Sequence, residues 1–188
     1  MSVHGLLLAA GAGSRMGRPK ALVVEDDGTP WLTRAVEALL SGGCEAVTVV
    51  LGAAADEAAS LLPEGSARVV VADDWAAGMG ASLRNGLAAL AATDADAVLV
   101  TLVDLPDVGP EVCRRVLDAA TGPDALARAT YAGRPGHPVL LGRHHWAGAA
   151  GSAEGDTGAR AYLARHAVTD VECGDLATGH DVDTPPVP

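Results

Sequence analysis

The sequence predicts an α/β protein in which a mostly parallel sheet lies between two layers of helices. Three observations predict this class. Short, nearly continuous apolar runs rich in β-branched residues recur along the first three quarters of the chain, stretches with helical spacing separate them, and glycine or proline stands at most junctions. A strand buried on both faces needs hydrophobic side chains on both, and strand alternating with helix is the signature of βαβ units.

The first strand is "VHGLLLA" (3–9), followed by strands in "AVTVVLG" from Ala46, "ARVVVA" from Ala67, "ADAVLVTLVD" from Ala95 and "GHPVLL" from Gly136. Between them, "WLTRAVEALLSGG" (31–43) sets Leu32, Ala35, Val36, Leu39 and Leu40 at helical spacing and stops in glycines. "ADEAASLL" (55–62), "GASLRNGLAALAA" (80–92) and "GPEVCRRVLDAA" (109–120) read as three more helices, the last with Pro110 in its first turn. From Thr130 the pattern loosens: "TYAGRPGHPV" reads as a hairpin, "GSAEGDTGARAYLARH" as a flexible loop feeding a helix, and "GHDVDTPPVP" as a proline-rich end.

A chain of 188 residues that is 49% hydrophobic can bury one real core, here an aliphatic one without a single Phe. Its net charge of −11 disfavours sequence-independent binding to nucleic acid, while leaving room for a phosphorylated small molecule held by backbone N–H groups and a few cations. Cys44, Cys113 and Cys173 are scattered and odd in number, which predicts reduced buried thiols rather than a disulfide or zinc site. No apolar run reaches the roughly 18 residues of a membrane span, and the expected location is the cytoplasm.

Open α/β sheets bind ligands beyond the carboxyl ends of their strands, which picks out the loops at 10–20, 73–82 and 104–109. In the first loop Gly11, Gly13 and Gly17 come close to a dinucleotide fingerprint. Two features speak against it: Pro19 interrupts any early helix, and the second strand ends "VVLGAA" without a carboxylate for a ribose. The other reading is a phosphate cradle, with backbone N–H groups around the oxygens and Arg15 and Lys20 neutralising a triphosphate. Asp104 emerges where its strand ends, either as a ligand for a divalent metal or as the cap of the next turn.

"LAAGAGSRMGRPKAL" (8–22) resembles the signature of the nucleotidyltransferase family that includes molybdenum cofactor cytidylyltransferases and guanylyltransferases. "DDWAAGMGASLRNGL" (73–87), "LVDLPDV" (102–108), "GRPGHPVLL" (133–141), "GDTGARAYL" (155–163) and "DVDTP" (181–185) resemble, in order, the remaining motifs of its cytidylyltransferase (MocA/MobA-like) branch. The resemblance implies a Rossmann-like fold of the nucleotide-diphospho-sugar transferase type, one domain over 1–188 with a nucleotide-binding half (1–110) and an acceptor-facing half (111–188). It implies Mg2+ held by Asp104 and by Asp183, ahead of its neighbour Asp181, and catalysis by Arg15, Lys20 and Asp104. Nucleotide contacts are expected from Leu8, Ala9, Ala10, Gly11, Gly13, Arg15, Lys20, Gly78 and Ser82, and acceptor contacts from His137, Asp156 and Arg160. Asp73 and Asp74 stand where relatives commonly carry Asn and inherit no role, and His144 and His145 read as surface or rim residues.

The activity so implied is transfer of CMP from CTP to the phosphate of a molybdopterin-type cofactor, with a downstream molybdoenzyme or chaperone as a protein partner. CTP rests on Ala10: guanylyltransferases of the group tend to read "LAGG" where this chain reads Leu8, Ala9, Ala10 and Gly11, and the extra methyl narrows the space beside the base. Three rivals stay open. They are a guanylyltransferase using GTP in a molybdopterin or deazaflavin pathway, an NAD(P)H-dependent oxidoreductase of the nicotine blue oxidoreductase type, and a non-catalytic nucleotide-binding accessory protein.

Overall fold

The computed structural model describes residues 1–183; the last two residues of "DVDTP" and the rest of the proline-rich end lie outside them. Seven strands form one sheet: β1 (Val3–Ala9), β2 (Ala46–Leu51), β3 (Arg68–Val71), β4 (Ala97–Leu102), β5 (Leu126–Tyr131), β6 (Arg134–Gly142) and β7 (Thr169–Glu172). Their spatial order is β3-β2-β1-β4-β6-β5-β7, and only β6 runs against its neighbours. The longer helices are α1 (Trp31–Gly42), α3 (Met79–Leu90) and α4 (Pro110–Ala119); α2 (Ala55–Ala59), α5 (Trp146–Ser152) and α6 (Arg160–Leu163) are short.

Alternating side chains of the central strands feed two cores, as the period of a strand requires. Leu7, Val49, Leu51 and Leu99 pack with Leu32, Val36 and Leu39 of α1 and Val112 and Val116 of α4. Leu6, Leu8, Val98 and Val100 pack on the opposite face with Leu83, Leu87 and Leu90 of α3 and with Trp146. The result is the expected three-layer sandwich. α1 and α4 approach closely at Gly42, where a Cβ would overlap that of Cys113. Cys44, Cys113 and Cys173 are free and buried, and burial pushes the thiols of Cys44 and Cys113 up to about 12, so neither is a nucleophile.

Three expectations need correction. β3 is an edge strand rather than one covered on both faces, and Val71 is 51% exposed. The helix expected over 55–62 stops at Ala59. The hairpin begins at Leu126, before Thr130, and β7 pairs in parallel with its first strand. The stretch read as a loop feeding a helix starts in the last turn of α5 (Trp146–Ser152) and runs through a 3-10 turn (Gly155–Thr157) into α6. β7 is short and polar, "TDVE", and cross-strand pairs hold it: Arg128 donates to Asp170 at 2.6 Å, and the Thr130 hydroxyl to Glu172 at 2.9 Å.

Candidate active site

β1 delivers the chain to the carboxyl edge of the sheet at Ala9, and the glycine loop starts there. Gly13 has a φ of +61°, and a Cβ there would run into the carbonyl of Arg18, so the loop folds back on itself only with glycine. Beyond Pro19 comes a single 3-10 turn, Lys20–Leu22, with Ala21 buried beneath it; α1 starts only at Trp31. The loop therefore does not open into a helix N-terminus of the kind a dinucleotide pyrophosphate requires.

The turn aims Lys20 into a carboxylate pair. Its Nζ donates to Asp104 Oδ2 at 2.7 Å and to Asp183 Oδ1 at 2.6 Å, and Arg15 pairs with Asp183 from the other side. Burial of the ammonium works to lower its pKa, but the bonds to the two carboxylates outweigh this and raise it above the ordinary 10.5. The same Lys20 bond lowers Asp183. Asp104 Oδ1 is buried without a hydrogen-bond partner among the described residues. A buried carboxylate oxygen left bare is costly, and a cation is the partner it suits. Oxygens of Asp104, Asp181 and Asp183 all lie within 4.8 Å of one another, so the donor set fits a hard divalent ion.

Asp181 and Asp183 reach Asp104 because the C-terminal segment is tied to the loop after β4. Val182 N–H donates to the Asp104 carbonyl at 2.9 Å, and Asp107 accepts from both the N–H and the hydroxyl of Thr178 at 2.6 Å. On the facing side, Gly78 and Gly80 at the start of α3 pack against the backbone of Gly155 and Ala153, bringing Asp156 to the mouth of the site. Ser82 is buried one turn in, while Arg84 is committed elsewhere, donating to Ala153 O at 2.5 Å and pairing with Asp74.

Two cavities adjoin at Asp104. One, of about 490 Å³, is lined by Leu8, Ala9, Ala10, Gly11, Gly13, Arg15, Lys20, Gly78, Ser82, Asp104 and Asp183. The other, of about 330 Å³, has an aliphatic floor of Leu83, Val100, Val139 and Leu141, and His137, Asp156 and Arg160 around it. All the expected site residues thus come together around one edge of the sheet. His137 reaches that edge because β6 runs backwards, so its start lies beside the end of β4. Desolvation pushes the His137 imidazole down to about 4, with Asp104 opposing the shift and Arg160 adding to it. His144 and His145 lie outside both cavities, bonded to Asp124 and Tyr162. Arg128, in the second cavity, was not singled out in the sequence, because a cation within a strand of mixed polarity carries no motif.

Residues 5–171 match the family model described as a MobA-like NTP transferase domain. The chain belongs to this family. Its members include enzymes of nucleotidyl transfer, and this chain is a nucleotidyltransferase of the MobA-like type with a nucleoside triphosphate as substrate. It is 38% identical to a protein named nicotine blue oxidoreductase of Paenarthrobacter nicotinovorans, over 97% of this chain and 92% of that one. It is 31% identical to a probable molybdenum cofactor guanylyltransferase of Mycobacterium avium, over 76% and 70%. Among solved structures, Rv0371c of Mycobacterium tuberculosis H37Rv superposes with a TM-score of 0.81 at 29% identity, covering 98% of this chain and 93% of that one. The same mycobacterial protein has also been solved in complex with manganese, with a TM-score of 0.76 at 27% identity over 97% and 94% of the two chains. Among the described residues of this MobA-like chain, no helix is long and apolar enough to cross a membrane.

Proposed function

We propose that this protein transfers CMP from CTP to the phosphate of a molybdopterin-type cofactor and releases pyrophosphate. One observation carries the reading: an ammonium bridging two carboxylates beyond a strand end, beside a buried carboxylate oxygen without a partner among the described residues. Asp104 and Asp183 would hold Mg2+, which when bound neutralises triphosphate charge and orients it for in-line displacement. The residues of this chain do the rest by position and charge. The glycine loop offers its backbone N–H groups to phosphate oxygens, and Lys20 and Arg15, released from the carboxylates, turn to the triphosphate and its departing pyrophosphate. The acceptor phosphate is already an anion, so no protein nucleophile is needed; holding it in line with the α-phosphorus is the main task.

In this reading residues 1–110 bind the nucleotide and 111–188 face the acceptor. Leu8, Ala9, Ala10, Gly11, Gly13, Gly78 and Ser82 contact the nucleotide, and Ala10, buried and lining the cavity, favours a pyrimidine. His137, Asp156 and Arg160 meet the acceptor, whose phosphate suits the planar donors of Arg160. A molybdoenzyme or its chaperone would receive the product.

The oxidoreductase reading has one finding in its favour, the relative of that name at 38% identity. The glycine loop speaks against it, since no helix starts there. Calorimetry with CTP, GTP and NADPH, each with and without Mg2+, separates the two. Metal-dependent CTP binding and pyrophosphate release with the molybdopterin acceptor are expected. NADPH binding indifferent to metal would overturn the transfer reading, and a preference for GTP would move it to guanylyl transfer.

A further inference from the structure

Tyr131, the last residue of β5, is 7% exposed and lines neither cavity, yet two parts of the site rest on it. Its hydroxyl donates to the His137 carbonyl at 2.6 Å. Its ring lies against two glycine backbones on separate segments. A Cβ at Gly136 would fall 2.8 Å from Cε2, and a Cβ at Gly179, where φ is +63°, would overlap the ring outright. Gly179 lies between Thr178 and Val182, the two points where the C-terminal segment is tied to the loop after β4. The ring therefore supports the segment from below at the turn just before Asp181 and Asp183.

We propose that Tyr131 is a positioning residue for the transfer site, setting the path of the segment that carries Asp181 and Asp183 through its ring and the backbone of His137 through its hydroxyl. One side chain thereby fixes the metal-facing and acceptor-facing walls relative to each other. The buried hydroxyl needs an acceptor and takes it from His137, while glycine at 136 and 179 lets two separate backbones come down onto the ring. The two functions are chemically separable: phenylalanine keeps the ring and loses the hydroxyl, leucine loses both.

The proposal rests on Asp104 and Asp183 as metal-holding carboxylates, so its test includes one of them. Mn2+ alone serves as probe, its free fraction read by electron paramagnetic resonance, with Asp183→Asn, Tyr131→Leu, Tyr131→Phe and Gly179→Ala beside the unaltered protein. Tyr131→Leu and Gly179→Ala are expected to weaken Mn2+ binding about tenfold, the usual effect of removing a group behind a metal ligand. Tyr131→Phe keeps normal binding while shifting the ring resonances of His137. Should Asp183→Asn lose Mn2+ while the Tyr131→Leu and Gly179→Ala variants bind it normally, the positioning role is overturned and the function stands. Should Asp183→Asn bind Mn2+ unchanged, both fall. If Tyr131→Leu does not fold, Gly179→Ala decides the matter, because it keeps the Tyr131 side chain and alters only the segment lying on it.

Discussion

Lys20 Nζ lies 2.7 Å from Asp104 Oδ2, and both side chains are only 16% exposed. An ion pair so sheltered loses much of its hydration and is costly to break from one side. In the proposed function it joins the residue that holds phosphate with one that holds metal, so without ligands these two charges offset each other. On that proposal, substrate and metal exchange partners with the pair, and together they replace both of its charges.

Removing either partner should therefore separate function from fold. Lys20→Ala and Asp104→Asn are each expected to lower kcat/KM for nucleotidyl transfer by about 10²- to 10³-fold, the scale of losing one charge-stabilising group. Steady-state pyrophosphate release checks this, with a thermal melt confirming that each variant folds.

The methyl of Ala10 makes a narrower claim. Ala10→Gly is expected to reduce the preference for CTP over GTP by about tenfold, the worth of one methyl in a pocket. Competition between the two nucleotides in a single assay reads this ratio directly.

His137 should stay neutral across the working range. Its pKa is pushed down to about 4 by desolvation, so the transfer rate should show no imidazole step near pH 6.5, and NMR of its ring should titrate at about 4. The unfolded chain takes up this proton first, so between the unfolded value and 4 stability falls as pH falls.

Glu172 gives the fold its own acid sensitivity. Its carboxylate accepts the N–H groups of Gly133, Ala132 and Gly174 and the hydroxyl of Thr130, and these bonds hold it below the ordinary 4.5. The stabilisation is full above the unfolded value and is lost as pH falls through the folded one. Glu172→Gln should flatten the acid limb of a Tm-against-pH profile while lowering Tm at neutral pH.

The contact between α1 and α4 predicts a packing cost. Gly42→Ala sets a methyl against Cys113 Cβ, an atom that cannot rotate away, and should destabilise the protein by about 1–3 kcal/mol in urea unfolding.

How much of this was legible beforehand follows from what each residue must satisfy locally. β1, β2 and β4 are buried on both faces and announce themselves as continuous apolar runs. β7 escapes because "TDVE" owes its strand to Arg128 and Thr130 on its partner, which no window of sequence contains. β3 reads as buried because valine is compatible with either setting, and only the strand order makes it an edge. The glycine loop and Asp104 were visible because they follow β1 and β4 at the carboxyl edge of the sheet, whereas Asp183 came only through the resemblance, since "DVDTP" by itself reads as a polar tail. Tyr131 was not, since an isolated tyrosine before a turn carries no pattern until Gly136 and Gly179 close on it.

Arg15 and Asp183 meet across 168 positions of chain. Six of the seven strands lie between them in sequence, so this contact closes a loop that spans most of the molecule. A ligand held at both ends of that loop stabilises all that lies between them, so nucleotide with metal should protect the whole sheet, not just the loop, from proteolysis.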